Sequence, residues 1–347
     1  MKNIDVLVIG YFGFKNNQID GQTIKTRNIY DLIVQESPEL NIEFYDTQEF
    51  QSSKFSIFTA IGKLLLTRKV VYLPGQNNLK HFYPIIDVIQ KIKKFGIVYI
   101  AVGGWLNDFL LKNPSMVKSF KKFDGILVES DALKNLLISN FNLIQADVLT
   151  NFRIQAFQPS SNNDDDFFRV VFMARVTKLK GIDLVIDYAI HTKANQQNLR
   201  KKVLIDFYGP INHKDSLDFL LDVEKYDNVR YLGVVEPEVV FETLQNYDVL
   251  VLPTTYPGEG FPGTIVDAYI SGIPVVVSRW KYLPEFVEDK KTGFLFDVDD
   301  KNAFFAHLDK LCNDPELLSE FKINAKLKSD EYSHHSAWPI LEAILNK

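Results

Sequence analysis

Short apolar runs alternate with longer amphipathic stretches along the whole chain. In the first half the runs are IDVLVIG, NIEFY, VVYLP, IVYIAV, GILVES and ADVLTNF. Between them, segments such as LKHFYPIIDVIQKIKKF place apolar residues three and four positions apart, the period of a helix with one buried face. The runs themselves do not alternate polar with apolar. A strand that is apolar on both faces lies between two layers of helices, so the pattern predicts parallel, doubly wound sheets. At 158–167, QPSSNNDDDF, the pattern stops in a polar, acidic stretch. It restarts with FRVVFMARV, VLIDFYG, VRYLGVV, DVLVLP, IPVVVS and GFLFD. The expectation is an α/β chain of two Rossmann-like domains facing a central cleft. The first covers 1–157, a linker covers 158–167, and the second covers 168–330. The remaining 331–347 reads as a helical segment that returns to the N-terminal domain.

Length agrees, since 347 residues exceed one ordinary core and suit two. A hydrophobic fraction of 46% and a charged fraction of 24% are those of a globular protein. The net charge of −5 argues against a nucleic-acid partner. The charge is uneven, however: residues 54–134 carry 13 Lys/Arg against 5 Asp/Glu. That region is either a set of solvated helix faces or a basic surface for an acidic membrane. The single cysteine, Cys312, allows no internal disulfide and points to a reducing compartment. The opening MKNIDVLVIG begins a strand rather than a signal peptide. The longest apolar patch, FSIFTAIGKLLL, is broken by Lys63 and falls short of the roughly 20 residues that span a bilayer. The expected location is cytoplasmic, with peripheral contact at the inner face of the membrane through 54–134.

Open sheets of this kind bind ligands outside the carboxyl ends of their strands, so the residues after each strand carry the chemistry. After the first strand, Gly10, Gly13 and Gly21 miss the G-x-G-x-x-G dinucleotide spacing. Gly21-Gln22-Thr23 at a helix start suits an anion through free N–H groups, or is a plain turn capped by Thr23. In the second half Arg175 and Lys180 bracket a strand-to-helix loop. Two such cations can hold a diphosphate, one as a planar fork and one as a point charge. Most telling is PTTYPGEGFPGTIVDAYISGIPVVVS at 253–278. Pro257, Gly258, Gly260, Pro262 and Gly263 crowd around Glu259. Such a loop brings backbone N–H groups close to a ligand, and the helix start at Thr264 offers more. Asp267, one turn into that helix, is placed to accept two ribose hydroxyls, and Glu259 to face a sugar. This is the pattern of a site for a nucleotide-linked sugar.

Two stretches of the first half point toward a second ligand. Gly103 and Gly104 end a strand, and behind them Trp105 can stack on a sugar ring while Asn107 and Asp108 bind hydroxyls. The alternative is a glycine turn with a core Trp and a capping Asn or Asp. Asn77 and His81, in PGQNNLKH, belong to the same cleft or to an ordinary polar loop.

As a set, Glu259-Gly260-Phe261-Pro262, Asp267 eight positions on, and Arg175 with Lys180 five positions on resemble the retaining GT-B glycosyltransferases of family 4. The Gly209 turn after VLIDFY, the VRYLG segment ending in Gly233, and LPEFVEDKKTGFLF around Glu285 and Gly293 extend the resemblance over 168–330. In the first half it rests on Gly21, the VES segment and Asn151. The resemblance implies the GT-B fold and transfer of a sugar, with retention, from a nucleotide-diphosphate donor of the UDP type. It implies a glycan or lipid-linked glycan acceptor, in bacterial cell-surface polysaccharide assembly. Glu259, Arg175 and Lys180 would be catalytic. Gly21, Gly209, Gly233, Gly260, Phe261, Pro262, Gly263, Thr264 and Asp267 would hold the donor. Side chains supply the cations, so no metal or other cofactor is expected. Asp267 departs from the family's usual Glu, one methylene shorter with the charge kept. The family's acceptor-side His is also missing from Val102–Asp108, so Trp105, Asn107, Asp108, Asn77 and His81 rest on their chemistry alone. Asp297-Val298-Asp299 matches a metal motif of the other glycosyltransferase fold but reads as a solvated turn, and His334-His335 has no nearby Cys. The rival functions are a GT-B nucleotide-sugar epimerase and a non-catalytic partner subunit.

Overall fold

The computed structural model describes residues 3–160, 166–211 and 216–347. Half of the expected linker, 161–165, lies outside the described residues. Every one of the twelve apolar runs carries a strand. In the first half these are β1 (Ile4–Gly10), β2 (Ile42–Asp46), β3 (Thr67–Leu73), β4 (Gly96–Ile100), β5 (Gly125–Val128) and β6 (Ala146–Val148). The second half holds β7 (Phe167–Met173), β8 (Lys202–Tyr208), β9 (Val229–Tyr231), β10 (Val249–Leu252), β11 (Val275–Ser278) and β12 (Gly293–Phe296). They form two six-stranded sheets of order β2-β1-β3-β4-β5-β6 and β12-β11-β10-β7-β8-β9. All neighbours are parallel.

Each sheet reverses its direction of growth once. From β1 the chain adds β2 on one side and then β3 to β6 on the other; from β7 it adds β8 and β9, then β10 to β12 opposite. At such a point the two outgoing loops diverge and leave a crevice at the carboxyl ends of the strands. The crevices lie between β1 and β3 and between β7 and β10.

The chain divides into two compact units, Met1–Ile154 with Tyr332–Lys347, and Gln155–Glu331. Residues 155–160 go with the second unit for a visible reason: Lys326 Nζ donates to Phe157 O at 2.6 Å and to Ile270 O at 3.1 Å. The first unit is closed by the helix His334–Leu345. Its Ala337, Leu341 and Ile344 are buried in one core with Val8, Ile29, Val71 and Leu127. The returning chain is joined to the outgoing one, with Arg153 N donating to Tyr332 O at 3.0 Å and His334 N to Arg153 O at 3.2 Å. In the second unit Val170, Val171, Val251, Val276 and Ile265 are fully buried. Among the described residues no helix is long and apolar enough to cross a membrane.

Leu341 has no exposed surface, so Leu341→Ala should cost the first unit about 2–5 kcal/mol through lost burial and a residual cavity. Urea denaturation followed by circular dichroism measures it; an unchanged midpoint would mean that the helix is not part of that core.

Candidate functional site

The β7–β10 crevice gathers the residues that the sequence pointed to. After β7 the chain makes a single turn of 3-10 helix, Lys178–Lys180, then enters the helix Ile182–Ala194 through Gly181. Gly181 has φ +84°, and a Cβ there would sit 2.2 Å from Pro253 O, the first residue after β10. Only glycine allows the two loops to approach this closely. Thr255 N then donates to Leu179 O at 2.8 Å and sews them together.

That contact sets Lys180 against Glu259. The Lys180 ammonium lies 2.8 Å from Oε1 and 2.7 Å from Oε2, a symmetric ion pair. The two side chains are 15% and 6% exposed, which shields the pair from most solvent screening. Thr254, fully buried, donates its hydroxyl to Glu259 Oε2 at 2.6 Å and accepts Tyr256 N at 3.1 Å. Its carbonyl accepts Ser278 Oγ at 2.6 Å from the end of β11. The Tyr256 ring faces the Lys180 ammonium at 5.2 Å, and Trp280 Nε1 holds Tyr256 O at 2.7 Å. The carboxylate of Glu259 is thus fixed by an ammonium and a hydroxyl inside a loop that is itself bonded to Leu179 beyond β7 and to Ser278 at the end of β11.

The other candidates of this unit fall around it. Phe261 is buried and stacks on Phe286 at 3.8 Å, which anchors the loop from beneath. Gly260 is also buried. Pro262 caps the helix Gly263–Ile270, whose first turn carries no acidic residue. In that turn the Thr264 hydroxyl is buried without a hydrogen-bond partner. Asp267 is buried on the same helix. Arg175 is exposed and makes no hydrogen bond or ion pair among the described residues. At the ends of β8 and β9, Gly209 N donates to Gly233 O at 2.8 Å, and Tyr231 Oη donates to Gly209 O at 3.0 Å. Gly209, at φ +126°, has Ala174 O where a Cβ would stand, at 2.0 Å. The crevice therefore offers a free guanidinium, an ammonium already shared with a carboxylate, and a helix N-terminus. Together they suit a ligand with several negative charges and hydroxyls.

The first unit places its candidates differently. Gly21 begins the helix Gly21–Glu36, but Asp20 caps it: the carboxylate accepts Gln22 N and Thr23 N, each at 3.0 Å, and Thr23 Oγ1 accepts Asp20 N. Two of the donors that would hold an anion are already occupied by one. The Asp-x-x-Thr spacing is the signal for this cap. Trp105 is half-buried, donates Nε1 to Val102 O at 2.7 Å and meets Phe109 edge-on at 5.5 Å. Asn107 is buried, and its Oδ1 accepts Asn140 Nδ2 at 2.9 Å from the helix Asp131–Phe141. Asp108, Asn77 and His81 are exposed. Asn77 and His81 share the short helix Gln76–His81, four residues apart.

One contact was not singled out in the sequence, although the VES segment that carries Glu129 was. Lys25 and Glu129 form a buried ion pair at 2.8 Å, each side chain 3% exposed. Glu129 follows β5 directly, and its second oxygen accepts Gly103 N at 3.2 Å. The pair ties the first helix to the turn that carries Trp105. Burial pushes the Lys25 ammonium below its ordinary value, with Glu129 acting in the opposite sense. Partners 104 residues apart are invisible in sequence, although a lone acid closing the apolar run GILVE is a signal for Glu129. Asp297 lies in the turn after β12, 3.6 Å from Arg279. Among the described residues no three His, Cys, Asp or Glu side chains gather as metal ligands would.

Comparison with known proteins adds a family. A sequence profile described as "Glycosyl transferases group 1" matches residues 153–328. The chain is 24% identical over 265 residues to poly(ribitol-phosphate) α-N-acetylglucosaminyltransferase of Staphylococcus aureus, covering 74% of this chain and 51% of that protein. It is 26% identical over 238 residues to α-monoglucosyldiacylglycerol synthase of Acholeplasma laidlawii, covering 67% and 58%. The chain thus spans about half the length of these curated relatives. HepE of Anabaena, solved in complex with UDP and glucose, matches with a TM-score of 0.75 at 14% identity over 99% of this chain and 100% of its own. That likeness is one of fold.

Glu129→Ala leaves the Lys25 ammonium buried and unpaired, so it should destabilise the first unit by about 3–5 kcal/mol. The double variant Lys25→Met/Glu129→Leu should recover most of that loss. Equal losses in the single and double variants, read from denaturation midpoints, would mean that the pair is not coupled.

Proposed function

Since the chain belongs to the group 1 glycosyl transferases, we propose that it moves a sugar from a nucleotide-diphosphate donor, UDP-linked, to a glycan or lipid-linked glycan acceptor. The observation that carries this reading is the meeting of Lys180, Glu259 and the Gly263–Ile270 helix start at the β7–β10 crevice. The donor's diphosphate is held by the free Arg175 fork, by Lys180 and by the helix N-terminus with the Thr264 hydroxyl. Charge grows on this diphosphate as the glycosidic bond opens, so stabilising it is the main catalytic contribution. Glu259 orients the transferred sugar, and Asp267 accepts the ribose hydroxyls. The backbone joined at Gly209 and Gly233 receives the nucleoside. Transfer proceeds with retention, as in family 4, and needs no metal; assays run in EDTA test that point. UDP is supported by the HepE complex, and a place in bacterial cell-surface polysaccharide assembly by a second S. aureus relative, named as a capsular polysaccharide biosynthesis glycosyltransferase.

The acceptor falls to the first unit, where Trp105, Asp108, Asn77 and His81 present an aromatic ring and polar groups beside the β4 turn. Asn107 contributes by positioning its neighbours, since its amide oxygen accepts Asn140 Nδ2 and its NH2 donates to Asp108 Oδ1. The same unit supports peripheral contact with an acidic membrane. Phe55 and Phe58 are 80% and 69% exposed, Val88 and Ile92 54% and 73%. They sit on or beside the neighbouring helices Ile57–Leu66 and Tyr83–Ile92, with Lys54, Lys91 and Lys94 also exposed. Apolar rings framed by ammonium groups suit the boundary of an anionic bilayer.

Arg175→Ala and Lys180→Ala should each weaken UDP binding by about 1.5–3 kcal/mol, the worth of hydrogen bonds to a charged group. Calorimetry decides the matter, and unchanged affinity in both variants removes the diphosphate from this crevice. Glu259→Gln should depress kcat on the order of a hundredfold without weakening UDP. Separately, vesicles containing phosphatidylserine should sediment the wild type and release Phe55→Ser/Phe58→Ser; equal sedimentation of the two would exclude this face as the contact.

A further inference from the structure

Lys180 has been assigned to the diphosphate and Glu259 to the sugar, yet in the structure each is the other's partner. We propose that Glu259 competes with the donor's diphosphate for the Lys180 ammonium, and that Thr254 is the positioning residue that keeps the carboxylate in place when the diphosphate wins. This rests on the donor reading above. A phosphate that binds Lys180 competes with Glu259 for its charge, because both carboxylate oxygens lie within 2.8 Å of Nζ and occupy two of its three N–H donors. The exchange leaves the ammonium neutralised, one anion replacing another. It leaves Glu259 with a charge and no cation, in a pocket where its side chain is 6% exposed. Such a carboxylate would swing away toward solvent unless something else held it.

Thr254 is that hold. Its hydroxyl has one proton and two acceptors in reach, Glu259 Oε2 at 2.6 Å and Leu179 O at 3.3 Å, and the shorter contact takes it. The hydroxyl is aimed by Tyr256 N, which donates to it, and the residue is pinned by Ser278 Oγ on its carbonyl. None of these bonds involves Lys180. The consequence is a division of labour in time: Lys180 passes to the phosphate, and Glu259 stays where the sugar will be, its charge now directed at the reacting carbon's side. The pair also lowers donor affinity, since part of the binding free energy is spent on separating it.

Calorimetric titration with UDP, and with inorganic pyrophosphate as a probe independent of the base, separates the possibilities. Glu259→Gln frees Lys180 and removes a repelling charge, so it should bind both ligands about tenfold tighter than the wild type. Thr254→Val should lower kcat about tenfold with UDP affinity no weaker, and Thr254→Ser, which restores the hydroxyl, should restore kcat. If Lys180→Met and Arg175→Ala weaken UDP while Glu259→Gln binds it no tighter, the competition is refuted and the donor reading stands. If neither cation variant weakens UDP, the donor reading itself falls. Loss of UDP affinity in step with kcat in Thr254→Val, unrescued by Ser, would overturn the positioning role. Melting temperatures certify folding, and Glu259→Ala replaces the amide variant should the latter not fold.

Discussion

Strands β7 and β10 lie side by side, and the chain leaves their carboxyl ends in opposite directions. Everything at the candidate site depends on how closely the two departing loops approach. A single missing side chain decides it, because a Cβ on Gly181 would meet Pro253 O at 2.2 Å. With that contact made, Lys180 and Glu259, 79 residues apart in sequence, fall within hydrogen-bonding distance. Without it the ammonium would stand on a separate loop from the carboxylate and the helix start. The chemistry is therefore a result of sheet topology, realised through one position where backbone replaces side chain.

The molecule handles charge in three ways, and the differences follow from exposure. Lys25 and Glu129 are fully withdrawn from water, and their mutual attraction must offset the loss of two hydration shells. Such a pair adds little net stability against an apolar replacement, yet it fixes geometry. Here it fixes the Gly103 amide and the turn behind it. Lys180 and Glu259 sit nearer the surface, with part of the ammonium still reachable by solvent. Arg175 stands in solvent with no partner among the described residues, so its fork is available at no cost in broken bonds. From buried to exposed, these charges pass from full commitment inside the protein to availability at its surface.

The sheets were legible because strands covered on both faces have little room for polar residues; all twelve runs could be seen one by one. Glu259, Lys180 and Arg175 were legible as charges in the segments that follow such runs. Their mutual arrangement was not. Periodicity describes a residue's local environment, whereas the Lys180–Glu259 contact is made by topology. The same holds for Lys25 and Glu129. At the first helix Gly21 and Thr23 drew the reading, while the cap lay in the Asp-x-x-Thr spacing, whose carboxylate is seen on Gln22 N and Thr23 N. Asn107 shows the reverse: a residue whose type suits hydroxyl binding is taken up by hydrogen bonds to Asn140 and Asp108.

The first unit is discontinuous, and this has a consequence for how the protein comes into being. Its core is completed by Ala337, Leu341 and Ile344, which emerge from the ribosome only after all of 155–331. Until then, the face of β1, β3 and β5 that those side chains cover must wait in contact with water or a chaperone. The second unit, continuous in sequence, can fold while the first is still open. Synthesis order and maturation order are thus inverted: the half that begins the chain is the last to be finished.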